Sequence, residues 1–139
     1  MSAFLWAVLT ACIWGVVPLM EKIGLGDASP TAGVIVRSFG VVGGLLLFGW
    51  IWSPWSACRT LSWSSILLLA GGGFLASFIG QLAFYHALRS GAVSQVTPVA
   101  GAYPLIAALL GWWVLREPLT VSRLMGVVCV VIGALLLRR

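Results

Sequence analysis

A chain of 139 residues that is 61% hydrophobic and only 8% charged, with a mean hydropathy of +1.11, is not a water-soluble domain, which carries about 25% charged residues. With so little polar surface, its solvent is largely lipid, and the whole of residues 1–139 reads as one compact unit without polar linkers or low-complexity tracts. The net charge of +5 does not indicate nucleic acid, because Lys22, Arg37, Arg59, Arg89, Arg116, Arg123, Arg138 and Arg139 are scattered near the ends of apolar segments. A nucleic-acid groove clusters its basic residues on one face; these read as interfacial anchors.

A helix needs roughly 20 mostly apolar residues to cross a bilayer, and five stretches qualify, at about residues 3–20, 31–52, 66–88, 92–115 and 119–137. The segments between them carry turn and helix-breaking chemistry: Gly24 to Pro30, Ser53-Pro54, Ser90-Gly91 and Glu117-Pro118. Short alternating segments, as in a membrane barrel, are missing. The expected fold class is therefore all-α, a polytopic bundle of five transmembrane helices. With five spans, Trp6, Trp50, Trp52, Trp55, Trp63, Trp112 and Trp113 fall on one side of the membrane, as an interfacial aromatic belt would. Basic residues divide three (Arg59, Arg116, Arg123) against four (Lys22, Arg89, Arg138, Arg139), which gives no usable orientation bias. Such a chain can insert both ways, and two copies would then form an antiparallel pair.

In the first span, Leu9-Thr10-Ala11-Cys12 resembles a lipoprotein cleavage box, but no basic segment precedes it and the apolar pattern runs on. Cys12 is read as a packed helix residue. The three cysteines form no disulfide framework, and no Cys or His spacing suits a metal; neither metal nor cofactor is expected. In the second span, Arg37 is a charge inside an apolar stretch. It either snorkels to the interface or faces the bundle, where it binds an anionic group or pairs with Glu21. Glu21, Lys22 and Arg37 all belong to the side where the first span ends and the second begins, and Tyr85 and His86 reach that side from the third. Glu21, Lys22 and His86 are candidates for proton or charge coupling, His86 because its unperturbed pKa is near 6.5; an interfacial histidine is the simpler alternative. Gln81, a turn deeper, either lines a pathway or bonds to a neighbouring helix.

The fourth span holds Pro98 and Pro104, each of which removes a helical hydrogen bond, with Thr97 and Tyr103 beside them. Kinked helices at membrane depth are tolerated where protein or a cavity satisfies the freed carbonyls, so this stretch is either a substrate pathway or self-satisfied packing. Small residues mark close helix contacts: Gly40 and Gly44 in the second span, Gly71 to Gly73 in the third, and Gly126, Cys129 and Gly133 in the fifth, taken as the dimer seam. The chain has three acidic residues, Glu21, Asp27 and Glu117, and no nucleophile–base set or paired carboxylates within a span. An enzyme is not expected.

Trp14-Gly15-Val16-Val17-Pro18 followed by Lys22, then Arg37, Tyr85-His86-Ala87-Leu88, Pro98, Tyr103-Pro104 and Glu117-Pro118-Leu119-Thr120 resemble the EamA domain of the drug/metabolite transporter superfamily over essentially the whole chain. Full-length members carry two such domains, ten helices in inverted topology, and export amino acids or other metabolites. The resemblance implies a half-transporter that pairs, most simply with itself. It further implies that Trp14, Arg37, Tyr85, Pro98, Tyr103 and Pro104 matter for the pathway or its gating, and that Glu117 lies in a tight loop. The expectation is a multi-pass protein of the cell inner membrane that works as a homodimer, antiparallel in its simplest form. It would export small metabolites or amino-acid-like or drug-like solutes by alternating access, with the bilayer and a small-molecule substrate as its partners. A lipid-linked substrate flippase subunit and a non-transporting subunit of a larger complex are the alternatives.

Overall fold

In the computed structural model, which describes residues 2–52, 58–118 and 120–137, every described regular element is helical. Helix α1 runs Ala3–Leu25 and α2 Pro30–Trp52. Helix α3 spans Trp63–Ser90 and contains a π-helical segment, Leu75–Gly80. Helices α4 (Val93–Ala100) and α5 (Tyr103–Leu115) follow, then α6 (Val121–Leu136). Helices α1, α2, α3 and the α4–α5 pair are each long and apolar enough to cross a membrane, and α6 is a shorter apolar helix. At 1.5 Å per residue, α6 is about 24 Å long, so the fifth span is shorter than its hydropathy suggests. Leu119, which opens that span in the sequence reading, and Trp55 of the aromatic belt lie outside the described residues.

The helix ends follow from local chemistry. Ser29 caps α2: its Oγ accepts from the Ala32 N–H at 3.2 Å and its carbonyl from the Gly33 N–H at 3.1 Å. Pro30 stands at the first helical position, where a missing N–H costs nothing. Ser62 caps α3 by accepting from the Ser65 N–H at 3.2 Å, and Thr120 caps α6 by accepting from the Arg123 N–H at 3.3 Å. Gly26, at φ +45°, takes the left-handed turn between α1 and α2.

Two spans differ from the sequence expectation. Helix α1 continues to Leu25 rather than ending near residue 20, which puts Glu21 and Lys22 inside its last two turns. The fourth span is not one kinked helix but two. Gly101 and Ala102 leave helical geometry (ψ −2° and 1°), and Pro104 falls in the first turn of α5, where it starts a helix instead of bending one. Pro98 does lie inside a helix, α4.

By its contacts the chain divides into two compact units, residues 20–89 and residues 1–19 with 90–139. In the first, the π segment of α3 packs on α2; the buried apolar side chains there are Leu25, Val34, Tyr85 and Leu88. In the second, α6 packs on α4 and α5, and Ala134 is buried. The apolar windows of the four long spans have at most 11% of their residues buried, as befits helices whose side chains meet lipid.

Candidate functional site: a carboxylate shared by three helices

Three polar side chains of the first unit converge on one atom. Glu21 near the end of α1 presents Oε1, which accepts from Gln81 Nε2 at 3.0 Å and from the Tyr85 hydroxyl at 3.0 Å. Arg37 of α2 brings Nε within 3.3 Å of the same oxygen. Gln81 and Tyr85 stand four residues apart on α3, and therefore on one face. One carboxylate oxygen thus ties α1, α2 and α3 together. The Glu21 side chain is 11% exposed and that of Arg37 32%. At this depth ionisable side chains pair with one another because lipid offers no alternative. Beside this knot, Lys22 Nζ donates to the Leu88 carbonyl on α3.

Close packing makes the geometry possible. Leu25 and Tyr85 press against α2 at Gly33: a Cβ built there would stand 2.8 Å from Tyr85 Cε2 and 2.9 Å from Leu25 Cδ1. The missing methyl lets the Tyr85 ring approach α2 closely, and its hydroxyl reaches Glu21. A cavity of about 310 Å³ opens next to the cluster, walled by Glu21, Arg37 and Tyr85 on its polar side and by Met20, Leu25 and Val36 on its apolar side.

Of the residues singled out in the sequence, Glu21, Arg37, Gln81 and Tyr85 are brought together. Arg37 pairs with Glu21, and Gln81 bonds to a neighbouring helix through the same carboxylate. Lys22 adjoins them through Leu88, whereas His86 is exposed and lines no part of the cavity. Trp14 is exposed on α1 at 60%. In the second unit, Thr97 and Pro98 lie on α4 and Tyr103 and Pro104 start α5. The Thr97 hydroxyl is buried without a hydrogen-bond partner among the described residues, while the Thr97 carbonyl accepts from the Gly101 N–H at 2.7 Å. Glu117 lies in the turn between α5 and α6, 3.6 Å from Arg123.

Within the single chain the described helices come closest away from the glycine seams of α2 and α3, and the Gly126, Cys129 and Gly133 face of α6, expected to meet a second copy, is open. Nothing stands within 4 Å of a Cβ built on Gly40, Gly44, Gly126 or Gly133, and Cys129 is exposed. Gly33, absent from those seams, is the close approach. Its sequence signal was the Ser-Pro-Thr-Ala-Gly start of α2, which reads as a capped helix and says nothing about what packs on it.

A set of long apolar helices, with Glu21, Arg37 and Tyr85 gathered at a cavity, defines a multi-pass membrane protein. The EamA-like transporter family matches residues 1–139, the whole chain, and the protein belongs to that family, within the drug/metabolite transporter superfamily. An uncharacterised transporter from the cobO 3′ region of a Sinorhizobium species is 25% identical over 95% of this chain and 93% of its own length. An uncharacterised protein of Methanocaldococcus jannaschii is 39% identical over 42% of this chain; the match spans 43% of that relative, less than half its length. No solved structure matches the chain.

Proposed function

We propose that this chain is the protomer of a secondary transporter that exports small metabolites by alternating access, working with a second copy in the cell inner membrane. The observation that carries the reading is the Glu21 knot beside its cavity: three helices are held by one carboxylate oxygen next to space for a small solute. Charged and amide groups are costly in lipid-facing helices, so their concentration at a cavity fits a path for polar solute better than packing alone. Such a knot also suits gating, because loosening one set of bonds frees three helices together. Transporters of inverted-repeat type place their sites between halves, which favours a second copy in the opposite orientation.

Two measurements test this. Purified chain in proteoliposomes should support saturable counterflow of small metabolites, and Tyr85→Phe should slow it several-fold; rates equal to empty liposomes would sink the transport reading. For the pairing, Cys58 can be probed with a membrane-impermeant thiol reagent in a variant whose other two cysteines are alanine. Labelling near half in intact cells indicates both orientations. All-or-none labelling rejects the antiparallel pair.

A further inference from the structure

The two charged residues of the cavity differ in what they have left to offer. The Glu21 charge is met on Oε1 by Gln81, Tyr85 and Arg37 together. Arg37 is less fully engaged. A guanidinium is a rigid fork of five N–H donors, and here Nε is the atom turned to Glu21. Among the described residues its two terminal nitrogens make no further hydrogen bond. Arg37 stands seven residues into α2, about 10 Å from the helix start, with two-thirds of its side chain shielded. These nitrogens are accessible rather than sealed in, so the oxygens of a ligand can reach them and complete the set. Met20, Leu25 and Val36 give the rest of the cavity an apolar wall.

We propose that this cavity binds a small amphipathic organic anion, its carboxylate taken by the terminal nitrogens of Arg37 and its apolar body laid against Met20, Leu25 and Val36. The inference rests on the transport reading above and gives it a substrate class. Guanidinium and carboxylate match as two parallel N–H···O bonds, and the Glu21 contact on Nε fixes the plane of the fork. Glu21 disfavours a second negative charge on the ligand, and Arg37 with neighbouring Lys22 disfavours a cationic one. A volume of about 310 Å³ is at the small end of ligand pockets, which suits a compact body.

An anionic lipid headgroup carries the same oxygen chemistry, so the experiment separates the two sources. Radiolabelled benzoate would be titrated onto the purified full chain in phosphatidylcholine nanodiscs, with benzamide and benzylammonium as neutral and cationic bodies of the same size. Saturable binding of benzoate, with neither control competing, is the expected result. Arg37→Gln should weaken it about tenfold or more, the effect of losing a charge-assisted pair. Arg37→Lys keeps the charge but not the fork and should weaken it several-fold, which guards against a variant that does not fold. Arg123→Gln, a charge change in the other unit, should leave it unaltered. Benzylammonium competing as well as benzoate, or Arg37→Gln binding normally, overturns the proposal. So does loss of benzoate binding when phosphatidylglycerol makes up a third of the bilayer, since the site would then belong to lipid. Benzoate binding without any solute flux rejects the transport reading and keeps the anion site; flux without benzoate binding does the reverse.

Discussion

The two units handle polar groups at membrane depth in opposite ways. In residues 20–89 Gln81, Tyr85 and the Nε of Arg37 all meet Glu21 Oε1, and the result is a cross-link of three helices. In residues 90–139 the backbone breaks at Gly101 and Ala102, and the buried Thr97 hydroxyl has no hydrogen-bond partner among the described residues. The contrast teaches that side-chain polarity in a span has two uses: where it is satisfied it fixes geometry, and where it is not it marks a place with bonds still to be made.

Removing the shared acceptor is the largest change that the comparison predicts. Glu21→Ala leaves Arg37, Gln81 and Tyr85 without their common partner. Breaking a buried pair from one side costs about 3–5 kcal/mol, and partial exposure of Arg37 places this case near about 3. Thermal unfolding in detergent reads it, with Glu21→Gln milder because an acceptor remains. An unfolding midpoint equal to wild type would mean that the knot is not what holds the first unit together.

The next effect is steric. Gly33→Ala drives a methyl into the Tyr85 ring, and overpacking of this kind costs about 1–3 kcal/mol. Gly126→Ala, with open space around it, should cost under about 0.5 kcal/mol. If the hydroxyl of Tyr85 is what Gly33 protects, Gly33→Ala should lower flux no further in a Tyr85→Phe background. Additive losses would show that Gly33 matters for some other contact.

In the second unit the expected signs reverse. Thr97→Val removes a buried hydroxyl that has no partner among the described residues, so stability should hold or rise by up to about 1 kcal/mol. A fall in flux with an unchanged unfolding midpoint would assign that hydroxyl to the solute path; a drop in stability would show that it bonds within the protein. The smallest effect is expected at Arg116, which holds φ +56° at the end of α5. Left-handed geometry costs a side chain roughly 1–2 kcal/mol, and glycine's freedom in the unfolded chain offsets part of this. Arg116→Gly should therefore stabilise by a few tenths of a kcal/mol.

Much of this protein was legible before any coordinates. Hydropathy and length determined the all-α membrane class, because a bilayer admits few alternatives for a chain this apolar. Serine, threonine, proline and glycine placed most of the helix ends, since capping is settled within four residues. The sequence also narrowed the polar candidates to a few, because a charge inside an apolar span stands out against its neighbours, as Arg37 does.

Partner choice required the tertiary structure. Arg37 could snorkel, bind an anion or pair with Glu21, Gln81 had two alternatives, and composition does not say which helix faces which. Which face α1 turned toward α3 decided that Gln81 and Tyr85 meet Glu21, whereas His86, one position on, stays exposed. Helix periodicity moves each successive residue by about 100°, so a single step along α3 separates a buried tyrosine from an exposed histidine. The role of Gly33 was invisible for the same reason: the reason for a missing side chain lies in the residue that occupies its space, here Tyr85, 52 positions away in the sequence.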